Sequence, residues 1–369
     1  MKENKSVLFV QGRFTVGGVE RVTVLLANAF VTRGWKVAVA VFKIEQPEML
    51  RQLSPVIVVH ELGMPVYRLS SVSRLRKLMR ELRTTHVINQ WAFPYLVTLM
   101  LRIAMPLGTQ LVCVYHTMPN RNKRALEAVG IKKRLIEWAL RLNSRLIYHS
   151  CDAYVVLSET YARVFKEFVG LKRADKLFII PNPLNPVKAE EVVKGNVVLY
   201  VGRLSRTEKR VDRVIEIWRI LEATLPDWRL EILGDGPDRD ELEKRAADLP
   251  RVSFRGFQPP GEYYAKAKIL LLTSDFEGFG MTLVEGMSAG CVPVVYGSFP
   301  VATEIVTDEC GVVVRPPWSD DEYAKAVLSL ATNERRLGEM ASAGKDSVRR
   351  FDLDQVVEKY LSVMNIHHD

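Results

Sequence analysis

The chain is poor in the residues that bind metals or form cross-links: its 369 residues include four cysteines and six histidines. Cys113, Cys151, Cys291 and Cys310 form no closely spaced pair and mostly lie in apolar, strand-like runs. That argues against a zinc ribbon or a disulfide scaffold and for reduced thiols. The adjacent histidines, His367 and His368, fall in the tail, where fraying is the norm. No metal site and no metal cofactor are expected. Uninterrupted apolar runs are missing as well. A membrane-spanning helix needs roughly 20 apolar residues, and the most apolar segment, residues 91–115, is broken by Arg102, Pro106, Gly108 and Gln110. We read it as a buried helix followed by a buried strand. The opening "MKENKSVLFV" lacks the apolar stretch and small-residue cleavage site of an export signal, so a cytoplasmic protein is expected.

Acidic residues are scarce in one half only. Residues 1–180 hold 28 Lys and Arg against 12 Asp and Glu, a net of +16; the rest hold 24 against 31, a net of −7, giving the +9 of the whole chain. An anionic partner at the first half is implied, whether a membrane surface, a phosphorylated acceptor or a nucleic acid. No nucleic-acid recognition motif or aromatic-rich basic patch accompanies the charge, so nucleic acid is not expected. With 48% hydrophobic and 26% charged residues the composition is that of a globular protein, and the length implies two domains.

Short apolar runs alternate with amphipathic helical stretches throughout. The first half has "SVLFV", "VAVAVF", "VIVVH", "HVIN", "QLVCVYH", "AYVVLS" and "LFIIP"; the second has "VVLYVG", "LEILG", "VSFRG", "ILLLTS", "VPVVY" and "GVVV". Continuously apolar strands separated by helices predict parallel sheets covered on both faces. The class is α/β, with doubly wound domains at 1–180 and 197–350, a linker at 181–196 that has three prolines, and a helix at 351–369 packing back on the first domain. Ligands of such sheets bind beyond the carboxyl ends of the strands, so two facing domains would enclose a cleft there.

One strand-to-helix connection stands out: "SDFEGFGMTLVEGMSAG", residues 274–290. Gly278 and Gly280 argue against one helix through both Glu277 and Glu285, because glycine is costly inside a helix yet lets backbone approach a ligand closely. A turn ending near Gly280 and a helix over 281–289 are predicted, with the first amides of that helix forming an anion site. Gly17 and Gly18 precede another apparent helix, and Arg203 and Lys209 flank the loop after "VVLYVG". Each is a plausible phosphate contact and each, alone, is also read as an ordinary turn or solvated charge.

In this order the motifs resemble the retaining glycosyltransferases of family 4, over nearly the whole chain and most specifically over 197–315. The resemblance implies the GT-B arrangement of two facing Rossmann-like domains. It places Glu277 at the donor sugar's hydroxyls, Glu285 at the nucleotide ribose, and the amides around Gly278, Phe279, Gly280, Met281 and Thr282 at the diphosphate. Arg203 and Lys209 match the basic pair that neutralises the leaving group. His116 ends the strand "QLVCVYH", and reads either as a polar strand cap or, by resemblance, as a contact to the donor sugar. Phe257 lies where the family's base pocket forms, or is core. Gly297, Ser298 and Glu304 partly depart from the family's glycine pair before a glutamate, and Ser298 to Ala302 would shape donor selectivity.

The segment 121–145 carries eight basic and two acidic residues, with Leu135, Trp138, Leu142 and Leu146 at helical spacing among Lys132, Lys133, Arg134 and Arg141. It reads as a membrane-surface helix or as a core-packing helix with a solvated basic face. The resemblance thus implies transfer of a hexose-type sugar, with retention and without metal, from a nucleotide sugar, UDP favoured, to a saccharide or lipid-linked acceptor in surface polysaccharide synthesis. A nucleotide-sugar epimerase or other GT-B enzyme, such as a phosphorylase, and a non-catalytic basic nucleic-acid-binding protein are the alternatives.

Overall fold

The computed structural model describes residues 5–15, 17–63, 69–91, 94–117, 130–184 and 192–365. Part of the inter-domain segment (185–191), the start of the basic segment (121–129), the end of the loop after His116 (118–120) and His367 with His368 lie outside them. The chain divides into two compact units, residues 1–183 with 353–369, and residues 184–352.

In the first unit seven parallel strands run β3-β2-β1-β4-β5-β6-β7. They are β1 (Ser6–Phe14), β2 (Lys36–Ile44), β3 (Val58–Glu61), β4 (His86–Asn89), β5 (Gln110–Tyr115), β6 (Ala153–Val156) and β7 (Leu177–Ile179). Their helices are α1 (Gly18–Thr32), α2 (Leu69–Leu82), α3 (Tyr95–Ala104), α4 (Gly130–Ser150) and α5 (Glu159–Val169), with α13 (Leu353–Met364) added from the end of the chain. β1 is buried along its length except at Arg13, as a central strand covered on both faces must be. Arg33, the C-cap of α1, pairs with Asp354 and Glu358, at 2.6 and 3.6 Å, and the His86 ring bonds the Met364 carbonyl at 3.0 Å, which ties α13 to this unit.

The second unit has six parallel strands in the order β10-β9-β8-β11-β12-β13: β8 (Val197–Val201), β9 (Arg229–Leu233), β10 (Val252–Gly256), β11 (Ile269–Leu272), β12 (Val292–Tyr296) and β13 (Val312–Val314). Its helices are α6 (Val211–Leu221), α7 (Arg239–Arg245), α8 (Gly261–Lys266), α9 (Met281–Ser288), α10 (Ala302–Ile305), α11 (Asp320–Ala331) and α12 (Glu334–Ser347). Trp218, Tyr200 and Tyr323 fill the core between sheet and helices. In both sheets the chain builds outward for three strands and then returns beside the first, so β1/β4 and β8/β11 are switch points where the following loops diverge and leave room for a ligand.

Each of the thirteen apolar runs holds one strand among the described residues. The segment 91–115 needs correction. Its strand, β5, is buried, but α3 is not: Leu96, Leu99 and Ile103 are exposed, because the helix lies on one face of the sheet and only Val97, Thr98, Met100, Leu101 and Ala104 turn inward.

Candidate active site

Four buried leucine and isoleucine residues make β11 a central strand, and its end delivers Thr273 and Ser274 to the second switch point. Beside it, the loop after β8 runs from Gly202 to Arg210. The two connections are stitched together: the Thr273 hydroxyl lies 3.1 and 3.0 Å from the Lys209 and Arg210 carbonyls, and the Asp275 amide donates to the Glu208 carbonyl at 3.0 Å. Across that seam Lys209 Nζ donates to Glu277 Oε1 at 2.6 Å, and Ser274 Oγ donates to the same oxygen at 2.8 Å. Lys209 and Glu277 are therefore neighbours although 68 residues separate them.

The turn ends at Gly280, whose φ of 86° and ψ of 52° lie in the left-handed region that glycine enters without penalty. α9 begins at the next residue, with no acidic side chain in its first turn and no side-chain cap. Its opening amides and dipole thus face the turn without an internal anion, the arrangement that favours phosphate. Phe279 is buried against Phe351, ring centroids 5.5 Å apart, and anchors the turn. Glu285, one turn into α9, is only 6% exposed and accepts from the Tyr264 hydroxyl at 3.2 Å. Ser298 Oγ donates to the Ser274 carbonyl at 2.6 Å and brings the segment after β12 against the turn.

Arg203 is exposed in the loop after β8 and makes no ion pair among the described residues; its carbonyl accepts from the Tyr200 hydroxyl at 3.2 Å. Phe257 is 61% exposed, so the core reading of it fails: Gly256, at φ 68°, ends β10 in the left-handed region and turns the following residue off the sheet.

In the first unit, Gly17 is the N-cap of α1 and Gly18 its first residue. Glu20 occupies this helix start, accepting from the Thr15 amide at 3.2 Å and the Thr15 hydroxyl at 2.9 Å. A Cβ at Gly17 would lie 2.6 Å from Glu20 Oε2, so the glycine makes room for a carboxylate that the protein itself supplies. Glu20 was missed in the sequence; the signal was "GGVE", an acid three residues after the cap. His116 follows β5 and its Nε2 lies 2.6 Å from Gln90 Oε1, while Nδ1 is sealed from solvent without a partner. Burial lowers its pKa to about 4, so the ring is neutral near pH 7 and offers hydrogen bonding, not charge. Among the described residues no group of three or more His, Cys, Asp or Glu is placed to hold a metal ion.

The described part of the basic segment is α4. Its buried residues are Leu140, Ser144, Ile147 and Tyr148, whereas Ile131, Leu135, Trp138, Leu142 and Leu146 are exposed, Trp138 by 63%. At about 100° per residue the exposed set forms one stripe roughly opposite the buried set. The core-packing reading of these residues fails. Arg134, Arg141 and Arg145 border the stripe, and the neighbouring α3 adds Leu96, Leu99 and Ile103. Beyond α3, the α2 side chains Arg74, Arg76, Lys77 and Arg80 are exposed, and Arg76 donates to the Ile103 carbonyl at 2.6 Å. Among the described residues no helix is long and apolar enough to cross a membrane.

Two parallel α/β units of this kind are the fold of GT-B glycosyltransferases. The model described as "Glycosyltransferase Family 4" matches residues 16–188 and the one described as "Glycosyl transferases group 1" matches 183–347, so the two tile most of the sequence, and the chain belongs to the family 4 glycosyltransferases. A Haemophilus influenzae protein described as an uncharacterized glycosyltransferase is 21% identical over 366 residues, covering 96% of this chain and 98% of its own. An undecaprenol-linked glycan α-1,4-N-acetyl-D-galactosaminyltransferase of Campylobacter jejuni is 25% identical over 379 residues, covering 97% and 98%. Among solved structures, Anabaena HepE in complex with UDP and glucose matches with a TM-score of 0.77 at 18% identity, over 98% of this chain and 99% of that one, a likeness of fold.

Proposed function

We propose that this glycosyltransferase moves a hexose-type sugar from a nucleoside diphosphate sugar, UDP favoured, to a hydroxyl of a saccharide or lipid-linked acceptor in surface polysaccharide synthesis, with retained configuration and without metal. The observation that carries the reading is the Lys209–Glu277 contact of 2.6 Å, beside a helix start that has no acid of its own. Departure of a nucleoside diphosphate leaves an oxocarbenium-like sugar and growing charge on phosphate oxygens. Fixed amides of 278–282 with Lys209 and Arg203 are suited to stabilise that charge without reorganising, and Glu277 to hold the sugar's hydroxyls. Glu285 is assigned to the ribose hydroxyls and Phe257 to the base. In this reading the leaving phosphate takes the acceptor's proton. UDP in the HepE complex and the lipid-linked glycan in the Campylobacter relative's name support the choice of donor and acceptor class.

Glu277→Gln is expected to lower transfer at least 100-fold in a folded protein, and Lys209→Ala to act through the diphosphate, lowering turnover and weakening UDP binding together. Transfer within a few-fold of wild type in folded Glu277→Gln would overturn the assignment. A free epimerised nucleotide sugar, formed without acceptor, would instead favour the epimerase alternative.

The face made by α3 and α4 belongs to the same proposal. Outward leucines and a tryptophan flanked by arginines suit a bilayer carrying anionic lipid, with apolar side chains entering the headgroup boundary and cations above it. Peripheral attachment at the inner face of the plasma membrane would bring the enzyme to a lipid-linked acceptor.

A further inference from the structure

We propose that Asp275, gripped between Arg210 and Arg213, is a positioning residue that sets Glu277 against Lys209. This rests on the transfer reading of the turn. Residues 273–280 join β11 to α9 without regular structure of their own, so bonds to neighbouring segments must fix the turn. Thr273 and Asp275 each supply three of them, and only those of Asp275 use a charged side chain. Its Oδ2 accepts from Arg210 Nη1 at 2.9 Å and its Oδ1 from Arg213 Nη1 at 2.5 Å, while its amide donates to the Glu208 carbonyl at 3.0 Å. Both ends of the residue are thus tied to the segment that carries Lys209. Arg210 directly follows Lys209, and Glu277 is two residues beyond Asp275, so a slip between the two segments strains this grip together with the Thr273 bonds.

Arg213 is built in. It is 8% exposed, its Nη1 also donates to the Thr273 carbonyl at 3.0 Å, and its guanidinium carbon lies 4.1 Å from the Trp318 ring centroid and 5.1 Å from that of Tyr296. Both acceptors are reached by the one nitrogen, Nη1, while the flat guanidinium lies against the two rings in a way that a lysine's ammonium would not. Arg210 adopts φ 51° and ψ 50°, a left-handed conformation that a non-glycine residue holds only where surroundings dictate it; its guanidinium is shared between Asp275 and Asp212. The Asp275 side chain is itself 40% exposed. Pairs so open to water add little to stability, so directing the turn is the stronger use of the arrangement.

The test uses the full chain with Asp275→Asn, which keeps the shape and removes the charge, and Arg213→Lys, which keeps a charge and loses the flat cation stacked on Trp318 and Tyr296. Donor turnover is read as UDP release from UDP-glucose, UDP-galactose and UDP-N-acetylglucosamine. Asp275→Asn is expected to lower kcat at least tenfold with donor KM changed less than about threefold, and to cause no further loss in a Glu277→Gln background, because its effect passes through that carboxylate. Arg213→Lys should give a smaller loss of the same kind. Hydrogen exchange reads the grip without any turnover: amides of 205–213 and 273–282 should exchange at least tenfold faster in Asp275→Asn, and the rest of the unit as before. Unchanged exchange would overturn the grip. Faster exchange with kcat within twofold of wild type, or losses that multiply with Glu277→Gln, would overturn the positioning role. If the wild type released UDP from none of these donors, the transfer reading would fail with them and exchange alone would decide the grip.

Discussion

Within the candidate site, opposing charges are held at a fixed distance. Lys209 and Glu277 share a hydrogen bond of 2.6 Å while the Glu277 side chain is 11% exposed, so neither needs to be collected from solvent when a ligand arrives. His116 is handled differently. Enclosure holds its pKa near 4, below the ordinary 6.5, and the unfolded chain therefore binds a proton that the folded one refuses between those values. Its contribution is complete above about pH 6.5 and disappears as pH falls towards 4, at most about 3 kcal/mol and less for a residue that keeps some solvent contact. Urea unfolding at pH 7, 5.5 and 4.5 should show wild type losing more stability on acidification than His116→Gln; equal losses would mean the ring is charged in the fold. Glu277, Glu285 and Lys209 were legible in the sequence because the family's spacing marks them. Asp275 and Arg213 carry no such mark, since 62 residues separate them and only the fold brings them together. The same holds for Gln90 and His116, 26 residues apart.

At the scale of the element, periodicity showed where helices run but not which side meets the sheet. α9 was legible almost to the residue, because Gly280 must lie outside it for a backbone reason that the sequence displays. α4 was not. It has two apolar sets, Leu140, Ile147 and Tyr148 inward and Ile131, Leu135, Trp138, Leu142 and Leu146 outward, and counting along the helix leaves the choice of core face open. α3 was expected to be buried because its segment is the most apolar of the chain, and apolarity alone does not show that one face stays outward. The outward stripe carries a prediction: sedimentation with vesicles containing phosphatidylglycerol should fall at least tenfold in affinity in Leu135→Ser/Trp138→Ser, with the melting temperature unchanged because these side chains support no core. Replacing Arg134, Arg141 and Arg145 by Gln should weaken binding at low salt more than at high salt. Equal binding by wild type and both variants would return the stripe to an ordinary, if unusually apolar, surface.

For the whole molecule, the order of events in the chain explains why the architecture was readable. Every apolar run became one strand, and parallel sheets follow from strands separated by helices. Which strands lie side by side is set by the return of β4 beside β1 and of β11 beside β8, and no local pattern encodes that. The charge asymmetry, +16 over residues 1–180 against −7 over the remainder, puts the cationic α2 and α4 faces in one unit and the glycine turn in the other. In the proposed function this turn binds the diphosphate of a nucleotide sugar. Thermal unfolding with UDP, GDP, ADP and their sugar conjugates tests it most directly, because a ligand bound only to the folded state at 100 times its Kd adds about 2.7 kcal/mol. Melting temperature should rise with the UDP series and the rise should be lost in Arg203→Ala; a folded protein whose melting temperature moves with none of these nucleotides would rule out a nucleotide-sugar site at the turn.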